Sequence, residues 1–191
     1  MGWIAMERGD YAAARAHSSE ALALANQQGA PLLAAFATMG LAWTARRAGD
    51  LDTATTHLRS LLDAAADRDS EAGQPLYVPS VLVELGHIAE HRGELTVAAD
   101  HHREALRVAR GLGAARDVAA ALTGLASTAA ASGDHQEAAT LLGAADAARQ
   151  PTGKPHGRRT GRPGPRDERH PRGSGRRFRG LLRKGSSHET R

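Results

Sequence analysis

The chain contains no cysteine, which excludes disulfides and thiolate metal sites. It also lacks any run near the ~18 consecutive apolar residues that a membrane-spanning helix needs. Its first thirty residues carry no charged stretch followed by an apolar one, so no secretory signal is visible. These absences predict a protein of the cytoplasm with no membrane partner. Aromatic residues make up only 3% of the sequence. Sheets favour aromatic and β-branched residues, so that scarcity argues against a β-rich core. Alanine, abundant here, is the strongest helix former because it loses no side-chain entropy.

Charge divides the chain in two. Residues 150–191 hold 13 Lys or Arg against 3 Asp or Glu, a net of +10, which leaves 1–149 at −6. The same 42 residues contain eight glycines and five prolines. The spacing predicts a helical domain over 1–149 and a disordered Arg/Gly/Pro-rich tail over 150–191. High-GC coding DNA read out of frame tends to yield this composition, so the tail is either genuine or frameshifted.

Within 1–149 a Gly-acid pair recurs as Gly9-Asp10, Gly49-Asp50, Gly93-Glu94 and Gly133-Asp134, at intervals of 40, 44 and 40 residues. Registering the chain on these glycines aligns Met1, Leu41, Leu85 and Leu125 eight residues before them. It aligns Ala14, Ala54, Ala98 and Ala138 five residues after. A glycine ends a helix because it adopts the left-handed conformation without a Cβ penalty. An aspartate that follows can cap the next helix, and Glu94 is a weaker cap. Each unit therefore reads as a helical hairpin, with small residues where its helices cross. Pro31 and Pro79 suit first turns. Polar Arg68–Pro75 absorbs the extra length of the 44-residue interval. Expected helices are 1–8, 11–27, 31–47, 51–67, 79–91, 95–111, 115–131 and 135–149. The fold class is all-α, a helical-hairpin repeat solenoid of about four pairs.

Leu85-Gly86, Ala89, Ala98 and Ala105 resemble the tetratricopeptide consensus, with its period lengthened from about 34 residues. The chain departs from that consensus at the aromatic position of the second helix, occupied by Ser18, Leu58, His102 and Leu142. The longer period and the phrases at 9–15 and 141–145 resemble the C-terminal repeat regions of signal-transduction ATPases and LuxR-type or SARP-type transcription regulators of high-GC bacteria. The resemblance implies a protein or peptide ligand in a concave groove. It puts Trp3, Trp43 and His87 on the groove, with Phe36, Met39, Arg46, Arg47, Val83, Glu90 and His91 around them. The two tryptophans could instead pack between helices. Met1 falls midway along a first helix in this register, so the chain is expected to be part of a longer signalling or regulatory protein.

Other patterns carry competing chemistry. His87-Ile88-Ala89-Glu90-His91 has the H-x-x-E-H order of the inverted zinc-protease motif, and would make the protein a zinc hydrolase. A catalytic zinc needs a third protein ligand, and no separate segment supplies one by sequence. His17, His57 and His101 share a repeat column, too far apart to hold one ion, and His101 and His102 point in different directions. No metal, cofactor or catalytic residue is therefore expected. Gly111-Leu112-Gly113 follows a helix rather than a strand and reads as an inter-repeat turn. In the tail, Arg158, Arg159, Arg162, Arg176, Arg177 and Arg179 could neutralise phosphates and give salt-sensitive, sequence-blind nucleic-acid binding. That is the alternative to a protein-interaction scaffold.

Overall fold

A computed structural model describes residues 2–67 and 75–150, apart from the side chain of Trp3. The tail with its six named arginines, nearly all of the 68–75 segment and the Trp3 side chain lie outside the described residues. The described chain forms α1 (Gly2–Glu7), α2 (Tyr11–Gln27), α3 (Pro31–Arg47), α4 (Leu51–Ala66), α5 (Val78–His91), α6 (Leu95–Gly111), α7 (Ala115–Ala131) and α8 (His135–Arg149). No strand occurs among the described residues.

The Gly-acid pairs are the hairpin turns. Gly9, Gly49, Gly93 and Gly133 have φ of +76, +86, +76 and +87°. At each one, the next N–H closes back on the carbonyl four residues before the glycine. Asp10 reaches Ala5, Asp50 reaches Ala45, Glu94 reaches Ala89 and Asp134 reaches Ala129, all at 2.9 Å. This is the bond that satisfies orphan carbonyls at a helix end. Asp10, Asp50 and Asp134 then cap the following helix by accepting from Ala13, Thr53 and Glu137 at 3.0, 3.0 and 2.9 Å. Glu94 makes no side-chain cap bond, as its extra methylene leads one to expect. Pro31 and Pro79 stand in first turns. Gly113, at φ +65°, makes the turn between α6 and α7.

Consecutive helices pack as antiparallel neighbours, and α5 also touches α3 and α7. The first helices of successive hairpins thus contact one another and form the inner layer of the stack. The alanine column sits where helices cross: Ala14, Ala54 and Ala98 are wholly buried and Ala138 nearly so. The main core lies between α3 and α7, around Met39, Leu58, Leu61, Val81, Leu85 and Ile88. Full burial of such side chains contributes roughly 1.5–3 kcal/mol each. Arg46 of α3 and Glu84 of α5 tie two hairpins together at 2.7 Å, with both side chains mostly buried.

Candidate interaction face

The inner layer of α1, α3, α5 and α7 carries the residues that the tetratricopeptide resemblance assigned to a groove. Phe36 is 51% exposed. It borders a groove of ≈650 Å³ between α2 and α3, lined also by His17, Ser18, Leu24 and Leu33. Trp43 is half-buried, and its indole N–H has no hydrogen-bond partner among the described residues. Met39 and Val83 are 2% and 6% exposed. Both belong to the core, so neither offers groove surface. Their spacing from Phe36 and His87 puts them on the edge of the same helical stripe, and that edge turns inward.

The charged residues of this face are engaged with neighbouring hairpins. Arg47 pairs with Glu7 of α1 at 3.0 Å, and Arg46 with Glu84. On the next step, Ser80 donates to Asp117 of α7 at 2.7 Å. A chain of polar contacts therefore runs from hairpin to hairpin along the inner layer. It fixes the register between units with bonds that apolar packing alone would leave undirected.

The densest polar cluster centres on Glu90. His87 Nδ1 lies 3.2 Å from one carboxylate oxygen, and His102 Nε2, from α6, lies 3.3 Å from the other. Thr128 and Ser127 of α7 donate to the same two oxygens at 2.8 and 3.3 Å. Burial opposes ionisation of Glu90, but hydrogen bonds from His102, His87 and Thr128 outweigh it. They hold the carboxyl far below its ordinary range. Two bare ring nitrogens would repel that carboxylate, so each of the facing nitrogens carries a proton.

His102 corrects the expectation that no separate segment reaches the H-x-x-E-H stretch. His91, the histidine the motif would use, is exposed, whereas His102 is wholly buried beside Glu90. The rings of His87 and His102 meet edge to face with centroids 5.1 Å apart. The close approach depends on two glycines. A Cβ on Gly86 of α5 or Gly124 of α7 would run into the His102 ring. His101, by contrast, points elsewhere and is only half-buried. The signal for His102 was present in the sequence: it occupies the second-helix position where the tetratricopeptide consensus puts an aromatic ring.

Stacked helical hairpins, closed by glycine turns and tied along an inner layer, define a helical-repeat solenoid. The profile of the MalT-like TPR region matches residues 1–153, and the chain belongs to that tetratricopeptide family. Among solved structures, BtubC (BKLC) from P. vanneervenii is similar in fold, with a TM-score of 0.63 at 21% identity. The match covers 97% of this chain and 68% of that one. No curated protein matches the sequence. No helix among the described residues is long and apolar enough to cross a membrane.

Proposed function

We propose that the protein is an interaction scaffold that receives a protein or peptide segment along the inner layer of α1, α3, α5 and α7. Its setting would be a signalling or transcription-regulatory protein, in keeping with the resemblance of the repeats to those regions. The observation that carries the reading is the exposure of Phe36 beside an apolar groove, in a helix that also bears Trp43. A large apolar side chain held out in water beside an apolar groove is a natural anchor for a partner's own apolar residues. Leu33, 56% exposed, extends the same apolar surface. Trp43, Arg46, Arg47, His87 and Glu90 would form its polar and amphipathic continuation, with His91 at the margin. No bond-making chemistry is needed for this role, and the protein is read as non-catalytic.

Site-directed photocrosslinking in the source cells tests this reading. A photoreactive side chain at Phe36 should give a discrete protein adduct. The same group at Arg107, exposed on α6, should not. Discrete adducts from position 107 with none from position 36 would overturn the assignment of the binding face.

A further inference from the structure

Three repeat columns change their chemistry together in the third hairpin. The second hairpin has Trp43, Arg46 and Leu58 where the third has His87, Glu90 and His102. The first has Trp3, Met6 and Ser18, and the fourth Ser127, Ala130 and Leu142. Only the third supplies two imidazoles and a carboxylate, and the fold brings all three to one point. One donor atom from each lies within 4.8 Å of the others.

We propose that His87 Nδ1, a Glu90 carboxylate oxygen and His102 Nε2 form a binding site for one divalent transition-metal ion of the Zn²⁺ class. This site shares His87 and Glu90 with the polar end of the proposed peptide surface but does not rest on that reading, and it differs from the H-x-x-E-H reading, because His91 takes no part. Donors bound to a tetrahedral zinc at about 2.0–2.2 Å stand about 3.3–3.6 Å apart. His87 Nδ1 lies 3.2 Å from one Glu90 oxygen and His102 Nε2 lies 3.3 Å from the other, and one donor from each of the three side chains falls within 4.8 Å of the rest, so the three already converge on one point. On binding, the ion would replace the protons that His87 Nδ1 and His102 Nε2 turn toward the carboxylate, and each neutral ring would then carry its proton on the other nitrogen. Two imidazoles and a carboxylate, without sulfur, are a donor set suited to zinc and its first-row neighbours.

The surroundings hold the donors in place. His102 is wholly buried, and its ring is confined between Gly86 and Gly124, so it cannot swing away from Glu90. Thr128 and Ser127 bond to the carboxylate oxygens and fix their orientation, as outer-shell partners of metal ligands do. His87 remains 29% exposed, which leaves a route for the ion from solvent. With three protein donors, a fourth coordination position stays open to water. A bound ion would join α5 to α6 directly, and α7 through the two hydroxyls.

The test uses the full chain, stripped with a chelator and titrated with Zn²⁺ alone against a chromophoric competitor. One equivalent should bind, and Co²⁺ in its place should give visible d–d absorption. His87→Ala, a change at a half-exposed position, should weaken the one-equivalent affinity at least tenfold. Glu90→Gln should do the same, and His91→Ala should leave it unchanged. Nitrogen-detected spectra of the imidazoles should show His87 Nδ1 and His102 Nε2 shifting on addition of Zn²⁺. Absence of one-equivalent binding would overturn the proposal. So would equal binding by His87→Ala and Glu90→Gln, which would put the ion on other histidines. An equal loss in His91→Ala would return the site to the H-x-x-E-H arrangement.

Discussion

At the scale of single residues, the four hairpin turns form an internal comparison, because the same backbone geometry is followed by three aspartates and one glutamate. Asp10, Asp50 and Asp134 each accept a backbone N–H, whereas Glu94 does not. The backbone at Glu94, with φ −84° and ψ 62°, is close to that of the other three caps. The missing bond therefore comes from side-chain length and not from a different turn. Glu94→Asp should restore it and raise stability by about 0.5–1 kcal/mol, the usual worth of a good cap. Urea melts of the two proteins would measure the gain. No gain, with an unchanged m-value, would mean that Glu94 already stabilises the helix by its charge alone.

Between elements, the packing of His102 decides how closely α5, α6 and α7 approach. Alanine ordinarily beats glycine inside a helix by about 1 kcal/mol. At Gly124 that preference should reverse, because a Cβ there collides with a ring that has nowhere to move. Gly124→Ala should cost about 1–3 kcal/mol, the range for overpacked cores. In a His102→Ala background the collision is gone, and the same change should stabilise by up to about 1 kcal/mol. Thermal melts of the four proteins would show this reversal of sign, and additive effects would rule out the ring as the obstacle. The hairpins themselves were legible in the sequence, since a left-handed glycine and a capping acid are local requirements that repeat with the fold. The helices α2, α3, α6, α7 and α8 begin and end at the residues expected from that spacing. Membership of the inner face was less legible. Helical spacing puts Met39 and Phe36 on one broad stripe, but only packing against the next helix determines which edge of it is buried. The convergence of His102 with His87 and Glu90 was hidden for a related reason. It depends on how α5 and α6 cross, and the two glycines that permit the crossing look in sequence like ordinary small-residue positions.

For the whole stack, stability should be unequal along its length. In a solenoid each unit is held by its own packing and by its neighbours, so interior units have two supports and terminal ones have one. The described core is concentrated from α3 to α7, where Leu58, Val81 and Ile88 are almost wholly buried. By contrast α1 has six residues, and Ile4 within it is 52% exposed. At the other end of the described residues, α8 packs against α7 and leaves Leu142 47% exposed. Leu142 occupies the same repeat column as Leu58 and His102, which a following hairpin covers. Local opening free energies should accordingly rise from both ends toward α5 and α6. Native-state hydrogen exchange would measure them directly. Amides in α5 and α6 should exchange slowest and those in α1 fastest, with α8 between. If every helix exchanged at one common free energy, the units would open only together. The nearest-neighbour picture of this stack would then have to be replaced by a single cooperative core.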